Sequence, residues 1–259
     1  MKSALRLLPL LFVLVAAPPA FGAVADHLII SEVNYDPPNV PEGSSNEAEY
    51  VEIFNASDVD VPLNDGTASF FLSDAEGTYY QVVNGTVTTP SGDWIVQFPP
   101  GTVIPARSAV VVTNDSDLFR DTFYPGDLQP FFDQPGSPQL FEFTQDVDSV
   151  PNMIVRSSVT AMSLGNSGEL MILYYWDGVS DLVRDVDLVV WGSGPMVNKG
   201  GVSVDGPDGD TTPSSYASDA GTGVKAADSS SGSLQRSSLL EPGELASGGN
   251  GRTGHDESS

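Results

Sequence analysis

Glu49-Tyr50-Val51-Glu52-Ile53-Phe54-Asn55 is the stretch that decides how this chain folds. β-branched and aromatic residues crowd it, polar and apolar side chains partly alternate along it, and Asn55 closes it, as in a half-buried antiparallel strand. Working outward, Leu28-Ile29-Ile30, Ser69 to Leu72, Tyr79 to Val83, Trp94 to Phe98, Ala109 to Thr113, Leu170 to Tyr175 and Leu182 to Trp191 are equally short. Gly, Pro, Asn or Asp bound each of them. Asn84-Gly85 predicts a two-residue hairpin between Tyr79–Val83 and Val87–Thr88. No stretch of ten or more residues carries a capped helical repeat. The fold expected is therefore an all-β antiparallel sandwich, with Asp117 to Val155 as a long insertion.

The 259 residues hold 35 acidic against 10 basic side chains and no cysteine, a formal charge of -25. A basic nucleic-acid surface is disfavoured, because such affinity comes from Lys and Arg neutralising phosphates. Disulfide staples, cysteine metal ligands and a cysteine nucleophile are excluded. Twelve Phe, eight Tyr and three Trp supply the core that a disordered chain lacks.

Lys2 and Arg6 followed by the apolar run Leu7 to Ala17 read as a secretory signal, with Ala23-Val24-Ala25 as an A-x-A cleavage site ahead of Asp26. Nothing later is apolar for the ~18 residues a membrane span needs. The organisation expected is a signal over 1–25, a sandwich domain over 26–198 and a Gly/Ser/Asp-rich tail over 199–259, cleaved after Ala25 and secreted. That tail cannot build a core of its own and is either disordered or draped on the domain. The sandwich stretch holds 26 acids and only Arg107, Arg120, Arg156 and Arg184, so its own charge is -22.

Leu28-Ile29-Ile30-Ser31-Glu32-Val33-Asn34-Tyr35, followed by Glu49 to Asn55, resembles the opening of the lamin tail domain family, an "ISE" strand and then an "E-W-I-E-L-x-N" strand. Further pieces follow in the family's order. They are Val61-Pro62-Leu63-Asn64-Asp65-Gly66, Phe71-Leu72-Ser73-Asp74, Phe98 to Ser108, Leu164-Gly165-Asn166-Ser167-Gly168-Glu169-Leu170 and Arg184-Asp185-Val186, while Ser233-Leu234-Gln235-Arg236 looks like the ending of secreted bacterial members. The positions carrying the resemblance are Ser31, Glu32, Glu49, Tyr50, Glu52, Asn55, Asn166 and Gly168, with Tyr50 replacing the usual Trp. The resemblance implies an immunoglobulin-like β-sandwich serving as a non-catalytic binding or structural module outside the cell. Its partners would be an extracellular protein or a cell-surface polysaccharide.

Candidate chemistry is sparse. Glu49 and Glu52, three apart, belong on opposite faces of a regular strand, and each is read as a loop-pinning carboxylate before a proton-transfer or metal group shared with Glu32. That second reading would make the protein a metal-assisted hydrolase. Asp205, Asp208 and Asp210 form an acidic turn that offers oxygen to calcium, although Pro207 departs from the EF-hand pattern. No other cofactor is indicated. His27 and His255 both lie near chain ends, so no catalytic triad has a placed base. Trp94, Trp176 and Trp191 are expected in the core, with a carbohydrate-stacking platform as the alternative. Tyr174-Tyr175-Trp176 is the stretch most expected at the surface, because adjacent strand residues alternate faces.

Overall fold

The computed structural model describes residues 23–37, 48–126, 137–143, 146, 148–159, 161–195, 197, 199–216 and 232–241. In chain order the first elements are β1 (Ala23–Val24), β2 (Leu28–Asn34), β3 (Tyr50–Asn55), β4 (Val61–Pro62), β5 (Ser69–Ser73), β6 (Ile95–Gln97), β7 (Val103–Ile104) and β8 (Ala109–Thr113). Then come helix α1 (Ser116–Phe123), β9 (Gln139–Glu142), β10 (Ile154–Val155), β11 (Gly168–Trp176), β12 (Arg184–Gly192), β13 (Ser203–Val204), β14 (Ser214–Ser215), β15 (Ser233–Gln235) and β16 (Leu240–Glu241).

Two five-stranded sheets carry the fold, in the orders β15-β2-β3-β8-β9 and β10-β6-β5-β11-β12. Their inner faces meet in one apolar core, with Ile30, Val51, Ile53 and Val112 from the first sheet against Leu72, Val96, Leu173 and Trp191 from the second. This is the expected all-β sandwich. One pair departs from the antiparallel rule: β9 runs parallel to β8, Val110 opposite Gln139 and Thr113 opposite Glu142. The insertion makes this arrangement. It leaves β8 through α1, whose N-cap Asp115 accepts from the Leu118 amide at 2.9 Å, and so β9 returns in the same direction.

The outer faces are covered as well. Helix α1 lays Phe119 over Tyr50, Val111 and Leu140 on the first sheet. On the second, Tyr79, Tyr80, Val82 and Val83 pack with Tyr174, Leu188, Val204 and Tyr216. Here two expectations fail. Tyr79–Asn84 is a 3-10 helix and not a hairpin strand, because its four apolar side chains all find burial on one sheet face. Gly85, at φ +107, ends the helix.

The domain also does not stop at residue 198. Lys199, Val204 and Tyr216 are buried against the second sheet, and β15 becomes an edge strand by pairing with β2. A segment too poor in apolar residues to make a core still contributes the few it has to a core already there, so 199–216 and 232–241 belong to the sandwich. The described ends meet too, since β1 pairs with β16.

Candidate functional site

The first sheet sorts the acids of the motif by strand parity. Val51 and Ile53 point into the sandwich, Tyr50 joins the outer cluster under α1, and Phe54 joins another outer cluster with Ile29. Glu52 follows Tyr50 and Phe54 outward, while Glu49 is fully buried and takes the Leu164 amide at 2.8 Å on Oε2. Burial pushes the Glu49 carboxyl up to about 8, the Leu164 bond opposing and the Asp36 charge adding. Its Oε1 is buried without a partner. The structure therefore does not bring Glu49 together with Glu32 and Glu52.

Glu32 and Glu52 do meet, directly opposite one another across β2 and β3. Like charges in that register repel. The register shifts between Ile30 and Glu32, and this bulge aims Ser31 Oγ at Glu52 Oε1 (2.7 Å), while Ser233 Oγ donates to Glu32 Oε1 (2.9 Å). Burial, followed by the Glu32 charge, raises Glu52 against the lowering by Ser31. Burial and the Glu32 charge likewise hold the Tyr50 phenol protonated. A depression of about 190 Å³ adjoins Glu32 but not Glu52, lined also by Ile30, Val189, Leu234 and Arg236 among others. It is below the ~300 Å³ usual for a small-molecule site.

The remaining motif residues are tied to backbone. Asn55 is fully buried, donates to the Val59 carbonyl at 2.8 Å and accepts from the Ser57 amide at 3.0 Å. Asn166, with its amide nitrogen turned inward, donates to the Tyr35 carbonyl at 3.0 Å. Gly168 sits at φ +149, and a Cβ there would lie 2.1 Å from the Ser193 nitrogen, so no larger residue fits. Asp74 of the Phe71–Asp74 piece is buried and takes the Trp94 amide at 2.6 Å.

Asp205, Asp208 and Asp210 are exposed. Asp208 and Asp210 each cap a backbone amide, at 3.1 and 2.6 Å. They are not brought together; among the described residues, three carboxylates gather instead at Glu142, Asp146 and Asp148. Trp94 and Trp191 are fully buried in the inner core, so the three tryptophans form no common platform. Of the Tyr174–Trp176 stretch, Tyr174 is fully buried, and Tyr175 and Trp176 are half-buried. The Trp176 indole donates to the Ser180 carbonyl at 2.7 Å.

Two ionic clusters escaped the sequence reading. Lys199, fully buried, pairs with Asp185 and donates to the Tyr79 hydroxyl at 2.8 Å. That hydroxyl donates on to Asp185 at 2.8 Å. The ammonium lies 4.8 Å from the Tyr216 ring centre and 5.2 Å from that of Tyr79, so aromatic faces wall the pair. Burial, then the Asp185 charge, pushes the Tyr79 phenol well up. In the second cluster Arg236 grips both oxygens of Asp187 at 3.1 and 3.0 Å, and the Ile30 and Leu188 amides donate to the same carboxylate. Asp185 and Asp187 are two apart on β12 yet serve opposite faces, since a bulge shifts the register between Leu173 and Tyr174. Both clusters bind the C-terminal segment to the sandwich.

No protein-family model matches this chain, and no curated protein matches it. A solved DUF4876 family protein from Bacteroides thetaiotaomicron VPI-5482 is similar at a TM-score of 0.37 and 12% identity, over 58% of this chain and 42% of that one. The chain thus spans less than half the length of that protein. The lamin-tail resemblance rests on the motifs quoted above. Among the described residues no helix is long and apolar enough to cross a membrane.

Proposed function

We propose that the chain is an exported, non-catalytic β-sandwich module of lamin-tail type, which presents its surface to an extracellular protein or a cell-surface polysaccharide. The observation that supports this most is the separation of the three acids a hydrolase would share. Glu49 is inside the sandwich under the Leu164 amide, and Glu32 and Glu52 are outside it. Each is engaged by hydrogen-bond donors from the fold. The charge of -22 between residues 26 and 198 favours solubility and disfavours nucleic acid.

The reading is tested by assaying the purified chain on phosphodiester, ester and glycoside substrates, with and without divalent cations. Turnover is expected to stay at the buffer rate. Turnover abolished by Glu52→Gln in a chain of unchanged stability would overturn it. Binding to insoluble polysaccharide that is lost in Trp176→Ala would select the polysaccharide partner.

We propose processing after Gly22 in place of the cut after Ala25 expected from the A-x-A motif. A cut after Ala25 would remove β1 and the bond from the Ala25 amide to the Leu239 carbonyl at 2.8 Å. A cut after Gly22 keeps both, and places the small residues Ala20 and Gly22 at the positions a signal peptidase reads. Intact-mass measurement of the protein recovered from an export-competent host is expected to give Ala23 as the first residue. A mass starting at Asp26 would refute that assignment.

A further inference from the structure

At the end of β9 the chain leaves the sheet at Glu142 and comes back alongside it at Asn152. The return is closed by the Glu142 amide on the Pro151 carbonyl (3.0 Å) and the Met153 amide on the Glu142 carbonyl (2.7 Å). Between these points lie Asp146 and Asp148, and one carboxylate oxygen from each of Glu142, Asp146 and Asp148 falls within 4.8 Å of the others. Acidic groups cluster on many surfaces without consequence, but Glu142 is not on the surface. It is 2% exposed, its Oε1 receives the Ser116 amide at 2.6 Å, and its Oε2 is buried with no partner. Asn152, half-buried, stands alongside. Its Nδ2 donates to the Asp146 carbonyl at 2.9 Å, and its Oδ1 is buried with no partner.

The unanswered Glu142 oxygen, in a group with the exposed carboxylates of Asp146 and Asp148, asks for a positive ligand. Leaving a buried acceptor unpaired is costly, and a neutral water would satisfy an acceptor without offsetting the mutual repulsion of the acids. The donor set is all oxygen, with no His or Cys, which selects a hard cation over zinc or copper. An irregular loop mixing carboxylates with an amide oxygen suits calcium, which takes six to eight oxygens flexibly, better than magnesium, which needs a near-ideal octahedron.

We propose that Glu142, Asp146, Asp148 and the Asn152 amide oxygen bind one calcium ion, which fastens the loop between β9 and β10 to the start of α1. Glu142 makes the link, since it also holds the Ser116 amide at the first turn of that helix. The site does not depend on the module being non-catalytic, and it uses none of Asp205, Asp208 and Asp210.

The test is calorimetry of the full processed chain, with calcium chloride as titrant and EDTA as the reference. One calcium per chain is expected to bind, and at a hundredfold excess over Kd the Tm is expected to rise by roughly 5 °C or more. Asp146→Asn with Asp148→Asn is expected to weaken binding at least tenfold and remove the Tm shift. Asn152→Ala, which keeps every charge, serves if the double variant does not fold, and is expected to weaken binding about tenfold. Asp205→Asn with Asp208→Asn and Asp210→Asn is expected to leave binding unchanged. Absence of both heat and Tm shift at millimolar calcium overturns the site. So does binding that persists undiminished in the loop variants. An equal response to magnesium overturns the choice of calcium.

Discussion

Lys199→Met is expected to lower the unfolding free energy by about 3–5 kcal/mol, the usual cost of removing one partner from a buried ion pair. The loss comes from what is left behind. Asp185 stays 3% exposed with the Tyr79 hydroxyl as its remaining side-chain donor, and the aromatic walls at Tyr79 and Tyr216 lose the cation they enclose. Denaturant titration should show a lower midpoint at unchanged slope, which marks lost stability with no change in the surface exposed on unfolding. Replacing the whole cluster, Lys199→Met with Asp185→Leu and Tyr79→Phe so that no hydroxyl is left unpaired, should recover most of the loss, because apolar residues of similar volume are often no worse than a buried ion pair. A single variant within 1 kcal/mol of the parent would show that this cluster does not hold the C-terminal segment in place.

The second large effect is a dependence on pH with the opposite sense to that of most carboxylates. Glu49 titrates at about 8 in the folded chain, against 4.5 for its ordinary value. Its folded form therefore keeps a proton that the unfolded form gives up. The associated stability is fully present below pH 4.5 and is lost as pH rises through 8. A displacement of this size, at about 1.4 kcal/mol per pKa unit, amounts to several kcal/mol across the window. Glu169, raised to about 7 by burial first and then by Asp93 and Glu76, contributes in the same sense with a smaller weight because it is partly exposed. The Tm should accordingly fall between pH 5 and pH 8.5. In Glu49→Gln, which keeps an acceptor for the Leu164 amide, most of that fall should vanish, leaving the variant more stable than the parent above pH 8. Parallel pH profiles for parent and variant would refute a protonated Glu49.

Strand parity was legible wherever alternation was strong. The three-residue spacing of Glu49 and Glu52 separates them across the first sheet, as the structure shows them. Tyr79 to Val83 was not legible, because Tyr-Tyr-Gln-Val-Val has the composition of a strand and only the neighbouring face of the second sheet makes a 3-10 turn the better burial. Lys199 was hidden by averaging. It opens a segment whose mean composition is Gly and Ser, although Val202, Val204 and Tyr216 a few residues on are the apolar signal that the segment returns to a core. The Glu142 group was hidden inside the insertion. Its spacing of acids and a late Asn was visible, but which oxygens end up buried and unpaired depends on β9 pairing in parallel with β8, and no local pattern announces that.

The pairing of β15 with β2 carries a kinetic consequence. Ser233 and Glu32, joined by a hydrogen bond, are 201 residues apart. An edge of the first sheet is thus completed by almost the last part of the described chain. Contacts of such sequence separation form late and slowly, since the entropy of closing the intervening loop must be met before they stabilise anything. A chain cut before Ser233 would leave the β2 edge unpaired and Asp187 without Arg236, an aggregation-prone state that persists until residues 233–236 arrive.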